Sequence, residues 1–428
     1  MTMKKTLLIG IDGASYSQLQ ELFELGVMPN MKALSKEGVF RRMTAALPDN
    51  SAVSWSSIMT GTNPGEHGIF GFTDLIPGTT TLRFPNSRNL RAKPFWQQHP
   101  DRKYIIINLP FTYPAGELNG ALITGFVSPD MNKSVYPQNL LGSIKDAGYQ
   151  TDADAGKFRK SPTLFLDELE DVLQTRCSVS RMLFSEQPWD TFMLVFTGSD
   201  RLGHFLTDAY EQGSGELYDR YIAYYRRVDI EIGWLVENTP EPFTLLMMSD
   251  HGMERIQAEA NINTLLEQNG LLTLDHTARR VNYGSILSQT KAFALEPSRV
   301  YIHSKGKYPQ GNVEPTDAPE ILDRLRGLFT DWEFEGRKVI KEIHTKDEMY
   351  SGACMDQAPD IVLSANQGFS LRGSLGNSDV FNTSPDLTGV HRGEDSFLLA
   401  CGDNVKQTVS QAPHVEDILP VMENLERN

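Results

Sequence analysis

Three apolar runs in this chain each stop on an acidic residue, and that recurrence restricts the fold more than any other feature. Thr6-Leu-Leu-Ile-Gly-Ile11 meets Asp12, Thr191-Phe-Met-Leu-Val-Phe-Thr197 meets Gly-Ser-Asp200, and Phe243-Thr-Leu-Leu-Met-Met248 meets Ser-Asp250-His251. A strand with no polar alternation is buried on both faces, which implies a parallel sheet covered by helices. A fourth run, residues 104–108, passes into Leu-Pro110 without an ionisable group. Between the runs, Leu166, Leu169, Leu173, Cys177 and Phe184 recur at helical spacing, as do Tyr218, Tyr221, Ile222, Tyr225, Val228, Ile232 and Leu235. Alternating strands and helices predict a layered α/β fold, in which ligands bind beyond the carboxyl ends of the strands. Asp12, Asp200, Asp250 and His251 are thereby expected to gather in one place.

From residue 255 to 385 the pattern loosens into turn-rich stretches around one helix at 318–328. It reads as a cap-like insertion in a core formed by 1–254 and 386–428, which closes with a strand at 396–401 and a helix at 415–426. The 40 Lys+Arg against 55 Asp+Glu give a net charge of −15, which repels nucleic acid and anionic membrane at long range. No stretch approaches the roughly 18–20 apolar residues of a membrane span. The apolar run after the basic start is too short for an export signal. Three scattered cysteines make no disulfide framework, so a reducing cytoplasm is the expected compartment.

Three of the nine histidines stand beside acidic or glycine punctuation: Asp200-Arg-Leu-Gly-His204, Asp250-His251-Gly and Gly389-Val-His391-Arg-Gly. With Asp12 they supply three carboxylates and three imidazoles, a donor set suited to zinc, with manganese or iron as alternatives. Six ligands suffice for two three-ligand sites with open positions. Two divalent ions and three carboxylates sum to about +1, so an acidic protein can present a locally positive pocket to an anionic ester. A nucleophilic hydroxyl belongs where a helix start favours negative charge. Pro48-Asp-Asn-Ser51-Ala-Val-Ser-Trp-Ser-Ser-Ile-Met-Thr-Gly61 supplies one, with residues 55–60 read as helix, Gly61 as its C-cap and Ser51 in the approach. From the residues alone, Ser51 does not outrank Ser54, Ser56 or Ser57.

Taken together, Ile9-Gly-Ile-Asp12-Gly13, Trp55-Ser-Ser-Ile-Met-Thr-Gly-Thr-Asn-Pro-Gly-Glu-His-Gly-Ile-Phe70, Asp200-Arg-Leu-Gly-His204, Ser249-Asp-His-Gly-Met253 and Val390-His-Arg-Gly393 resemble the alkaline phosphatase superfamily. The branch they are most similar to is the type I phosphodiesterase/nucleotide pyrophosphatase-like phosphohydrolases. Arg299-Val-Tyr-Ile-His-Ser-Lys-Gly-Lys-Tyr-Pro-Gln-Gly311 and Ala358-Pro-Asp-Ile-Val-Leu363 also resemble that branch. The resemblance implies an α/β/α core with an inserted cap. It implies one metal on Asp12, Asp250 and His251, a second on Asp200, His204 and His391, and Ser51 as nucleophile. The implied reaction is in-line attack on phosphorus, a phospho-serine intermediate and its hydrolysis, with a small phosphorylated substrate and a phosphodiester ahead of a monoester. Many nucleotide pyrophosphatases carry threonine as nucleophile and asparagine three residues later; here the positions hold Ser51 and Ser54. Ser54, a candidate substrate contact, is a shorter donor than an amide. Phosphomonoesterase, phosphomutase, phosphonate or sulfate ester hydrolase, and a non-catalytic binder of a phosphorylated ligand remain as alternatives on the same scaffold.

His67, in Gly65-Glu-His-Gly68, is expected to hold a turn rather than a metal. Asp49 and Asn50 are read as loop polarity beside Ser51. Cys177-Ser-Val-Ser-Arg181 has Val179 where the sulfatase signature needs proline, and it lies on a helical apolar stripe, so Cys177 is expected to be buried and structural.

Overall fold

The computed structural model describes residues 4–427. The apolar runs form strands: β1 (Lys5–Ile11), β3 (Tyr104–Leu109), β6 (Thr191–Phe196) and β7 (Phe243–Met248). Joined by β2 (Val39–Met43), β4 (Gly120–Thr124), β5 (Val135–Tyr136) and β8 (Ser396–Cys401), they make an eight-stranded sheet in the order β2-β8-β7-β1-β6-β3-β4-β5. The five inner strands β7-β1-β6-β3-β4 run parallel. Antiparallel pairs at the margins, β2 with β8, β8 with β7 and β4 with β5, add the rest. All six side chains of β3 and of β6 are buried, which is why these segments lack polar alternation. Parallel pairing sets the strand ends abreast: Ile11 faces Phe196 across one ladder, and Gly10 faces Met248 across the other. The acidic residues that follow are thereby delivered to one edge of the sheet. Helices cover the sheet in the layered α/β arrangement expected.

Helix α1 (Ser51–Thr60) begins four residues before the expected 55–60. The Asn50 side chain accepts the Val53 N–H at 3.2 Å and thereby starts the helix at Ser51. Gly61, in the left-handed region at φ 68°, ends it as foreseen. Helix α2 (Pro162–Glu186) is capped by Ser161, has proline at its first position, and buries Phe165, Leu166, Leu169, Leu173 and Cys177. Cys177 is therefore a core residue whose thiol burial pushes up to about 12. Helix α3 (Gly198–Gln212) springs from the end of β6 and carries Asp200 and His204 one turn apart, and α4 (Glu216–Asn238) packs beside it.

The described chain divides into two compact units, one of residues 1–63, 86–254 and 391–428 and one of residues 64–85 and 255–390. The second has its own core, with Phe293, Tyr301, Phe329 and Trp332 among its buried rings. An antiparallel sheet of Ala292–Leu295, Arg299–Ile302, Ile361–Ala365 and Ile340–Thr345 carries that core beside the helix Ala318–Thr330. The short stretch Pro64–Pro85 belongs here through Arg299, which is fully buried and donates from Nη2 to the Thr73 carbonyl at 2.9 Å. Gly71 leaves the room this requires, since a Cβ there would meet the Arg299 guanidinium carbon at 2.8 Å.

Candidate metal centre

Each strand end supplies its polar residue through local constraints. Asp12 follows β1, and Gly13 then takes φ 70°, with its N–H donating to Asp250 Oδ1 at 3.1 Å. A Cβ on Gly13 would lie 2.9 Å from the Asp200 Cα, so only glycine lets these two segments approach. Asp12, Asp200, Asp250, His251 and Ser51 are all at most 2% exposed. The possible ligand atoms of Asp12, Asp250 and His251 lie within 4.8 Å of one another, and so do those of Asp200, His204 and His391. The two clusters adjoin: the His251 and His391 rings stack with centroids 3.5 Å apart, and His251 Nε2 is 3.9 Å from Asp200 Oδ1.

The imidazoles are aimed by their other nitrogens. His391 Nδ1 donates to the Asp49 carbonyl at 2.7 Å and His251 Nδ1 to the Gly252 carbonyl at 3.0 Å, so each presents Nε2 inward. There His391 Nε2 stands 3.0 Å from His204 Nε2, and both face Asp200 Oδ1, at 3.5 and 3.3 Å. The buried oxygens Asp200 Oδ1 and Asp250 Oδ2 have no hydrogen-bond donor outside the candidate ligands; their near neighbours are His204 Nε2 at 3.3 Å and His251 Nε2 at 3.2 Å respectively. Carboxylate oxygens and imidazole nitrogens converging on common points, with no other donors between them, are the donor set a divalent cation requires. These residues therefore fit the two-metal requirement of the superfamily.

Electrostatics says the same. Burial first, then Asp250 and Asp200, raise the Asp12 carboxyl well above its ordinary value. Burial would also raise Asp200, but His204, His391 and Arg201 outweigh it and hold that carboxyl well below the ordinary range. His251 is opposed by burial, yet Asp250, Asp12 and Asp200 hold it up to about 10. Without cations the cluster must borrow protons to offset its own repulsion.

Ser51 occupies the first turn of α1, where the helix dipole favours negative charge. Its Oγ is 3.1 Å from His251 Nε2 and 3.5 Å from Asp12 Oδ1. Ser54, three residues along the helix, is fully buried and its Oγ has no hydrogen-bond partner. Ser56 and Ser57 are fully buried on the same helix, and Ser56 Oγ donates to the Ala52 carbonyl at 2.6 Å. His67 is buried, pushed down to about 3, and accepts the Ile69 N–H at Nδ1. His99, His276 and His344 pair with Glu423, Glu267 and Glu342, while His303 and His414 meet backbone carbonyls.

Two supporting residues escaped sequence reasoning. Trp55 Nε1 donates to Asp12 Oδ2 at 2.9 Å, and a Cβ on Gly10 would strike the Trp55 ring at 2.5 Å. Asp49, read from the sequence as loop polarity, holds His391 by its carbonyl and the Gly393 N–H by its carboxylate at 3.2 Å. The Gly10–Trp55 pairing leaves no periodic trace; the one available signal for Asp49 was its place two residues before Ser51.

No curated protein sequence matches the chain. Among solved structures it is similar to phosphonoacetate hydrolase from Sinorhizobium meliloti 1021 in complex with phosphonoacetate, with a TM-score of 0.64 at 16% identity, covering 99% of this chain and 96% of that one. It is also similar to murine ectonucleotide pyrophosphatase/phosphodiesterase 5, with a TM-score of 0.57 at 14% identity, covering 99% of this chain and 95% of that one. These likenesses show the fold. The sequence itself matches the type I phosphodiesterase/nucleotide pyrophosphatase profile across residues 6–393, a span that takes in Asp12, Ser51, Asp200, His204, Asp250, His251 and His391. No helix is long and apolar enough to cross a membrane among the described residues. By that match the protein belongs to the type I phosphodiesterase/nucleotide pyrophosphatase family of phosphohydrolases.

Proposed function

We propose that the protein hydrolyses a small phosphate ester, a diester ahead of a monoester, with Ser51 as the nucleophile. The observation that carries this reading is the position of Ser51 Oγ, at a helix start and within 3.1–3.5 Å of His251 and Asp12. Asp12, Asp250 and His251 would hold one divalent ion and Asp200, His204 and His391 the other, with zinc ahead of manganese. Such ions supply Lewis-acid activation of a hydroxyl and neutralisation of phosphoryl charge. The α1 N-terminus favours the charge that develops on Ser51 Oγ. Ser54 Oγ, buried and unpartnered, is the spare donor for a phosphoryl oxygen. Attack by Ser51 Oγ, which gives up its proton, forms the Oγ–P bond as the P–O bond to the ester's alcohol breaks and that alcohol leaves protonated. Water then cleaves phospho-Ser51 at Oγ–P to release the phosphorylated product and restore the hydroxyl. Residues 255–385 keep the reading of a cap-like insertion. The cytoplasmic reading rests on three free cysteines, two of them buried.

Phosphonate hydrolysis is the second reading, favoured by the fold shared with a phosphonoacetate hydrolase. Ser51→Ala decides the nucleophile: turnover of bis-p-nitrophenyl phosphate disappears while the metal content of the purified protein is unchanged. Near-native turnover in that variant removes Ser51 from the chemistry. Comparing the diester with p-nitrophenyl phosphate, p-nitrophenyl sulfate and phosphonoacetate ranks the substrate classes.

A further inference from the structure

Arg201 follows the candidate ligand Asp200 on α3, and its guanidinium is enclosed on three sides. Nη1 lies 3.3 Å from Asp200 Oδ2. Nε is 3.2 Å from each carboxylate oxygen of Asp152, and Nη2 also donates to Asp152 Oδ2. The Phe126 ring covers the planar group at 5.0 Å. The Arg201 and Asp152 side chains are 19% and 21% exposed, so the pair is largely withdrawn from water.

The geometry points to Arg201, anchored by Asp152, as a positioning residue that sets the orientation of Asp200. Resting on the two-metal reading above, the inference is that this pair turns Asp200 Oδ1, and not Oδ2, toward His204 and His391. Oδ2 is engaged by Arg201, while the buried Oδ1 has no donor other than the candidate ligands and faces their two Nε2 atoms at 3.3 and 3.5 Å. A guanidinium suits this task because its planar fork holds two carboxylates at fixed angles, which a lysine ammonium does not do.

Charge and orientation act in opposite directions here, and that makes the role testable. Deleting Arg201 alone removes a cation beside an anionic site and leaves Asp152 uncompensated, so Coulomb attraction for a divalent ion increases. Losing the orientation of a ligand through its hydrogen-bond partner weakens metal binding by about 10–100-fold. The charge-neutral double variant R201Q/D152N removes the fork with no change in net charge and isolates the second effect.

The experiment is stoichiometric cobalt(II) titration of the chelator-stripped full-length protein, followed by visible absorption and elemental analysis. The native protein is expected to take two equivalents. R201Q/D152N is expected to keep one at native affinity and bind the other at least about tenfold more weakly, with a changed cobalt spectrum. R201K, which keeps the charge but not the fork, is expected to shift the same way. Native binding of both ions by R201Q/D152N and by R201K overturns the positioning role while leaving the two-metal reading standing. Failure of the native protein to bind cobalt at all instead removes the two-metal reading, and the inference with it. Should R201Q/D152N fail to fold by circular dichroism, R201K carries the test alone.

Discussion

The two three-residue clusters differ in how they are built and how far they are open. Asp12, Asp250 and His251 sit directly after two adjacent parallel strands and are wholly buried. Asp200 and His204 lie a turn apart on a helix and His391 comes from a late strand; the two imidazole side chains are 18% and 17% exposed. The strand-end cluster inherits its geometry from the sheet. The other is braced by neighbouring side chains and backbone: Arg201, the next residue on the helix and itself held by Asp152, lies beside Asp200, and the Asp49 carbonyl holds His391. A wholly buried, sheet-held cluster is suited to permanence, and one whose two imidazoles keep a little exposed surface is suited to exchange with substrate and water.

That contrast can be broken most severely at Asp250, whose Oδ1 also takes the Gly13 N–H. Asp250→Asn is expected to lower turnover by more than about a thousandfold, the scale set by several kcal/mol of lost transition-state stabilisation. Elemental analysis should show metal lost with it; full metal content would mean the closed cluster is not a binding site. Exposure predicts a sharper distinction among the histidines. His204→Gly should regain turnover when imidazole is supplied, whereas His251→Gly, enclosed at 0% exposure, should not. Equal rescue of both would erase the distinction between closed and open.

Acidity gives a third test. His251 is held up to about 10 from an ordinary 6.5 in the metal-free protein, so a proton must leave Nε2 before that lone pair can bind a cation. Metal affinity should therefore climb about tenfold per pH unit through neutrality and beyond, without levelling off above 6.5. The same raised value means that His251 stabilises the metal-free fold fully below pH 6.5 and that this contribution is lost as pH rises toward 10. Metal titrations at several pH values and thermal melts of the stripped protein check both signs. The smallest effect is expected at Trp55: Trp55→Phe leaves Asp12 Oδ2 short of its donor. It should cost about 1–3 kcal/mol, measured by denaturant unfolding.

Strands ending in acids made the layered sheet legible from residues alone, because full burial on both faces excludes polar alternation. Asp12, Asp200, Asp250 and His251 were readable for the same reason. Ser51 was not separable from its neighbouring serines by pattern, since a helix start depends on whether Asn50 turns its side chain onto Val53. The allegiance of Pro64–Pro85 was equally hidden, because it rests on partners more than two hundred residues away, among them Arg299 on Thr73, Tyr350 on Phe70 and the Cys354 N–H on the Gly65 carbonyl.

The sequence by itself determined which residue types stand at the strand ends, and parallel pairing then had to set those ends abreast. Tertiary structure alone decided which atoms meet. Trp55 on Asp12, Asp49 on His391 and Asp152 through Arg201 on Asp200 are contacts between segments separated by 43 to 342 residues. Such contacts follow no periodicity, because a hydrogen bond between distant segments constrains distance and angle in space and leaves the order of residues between them free.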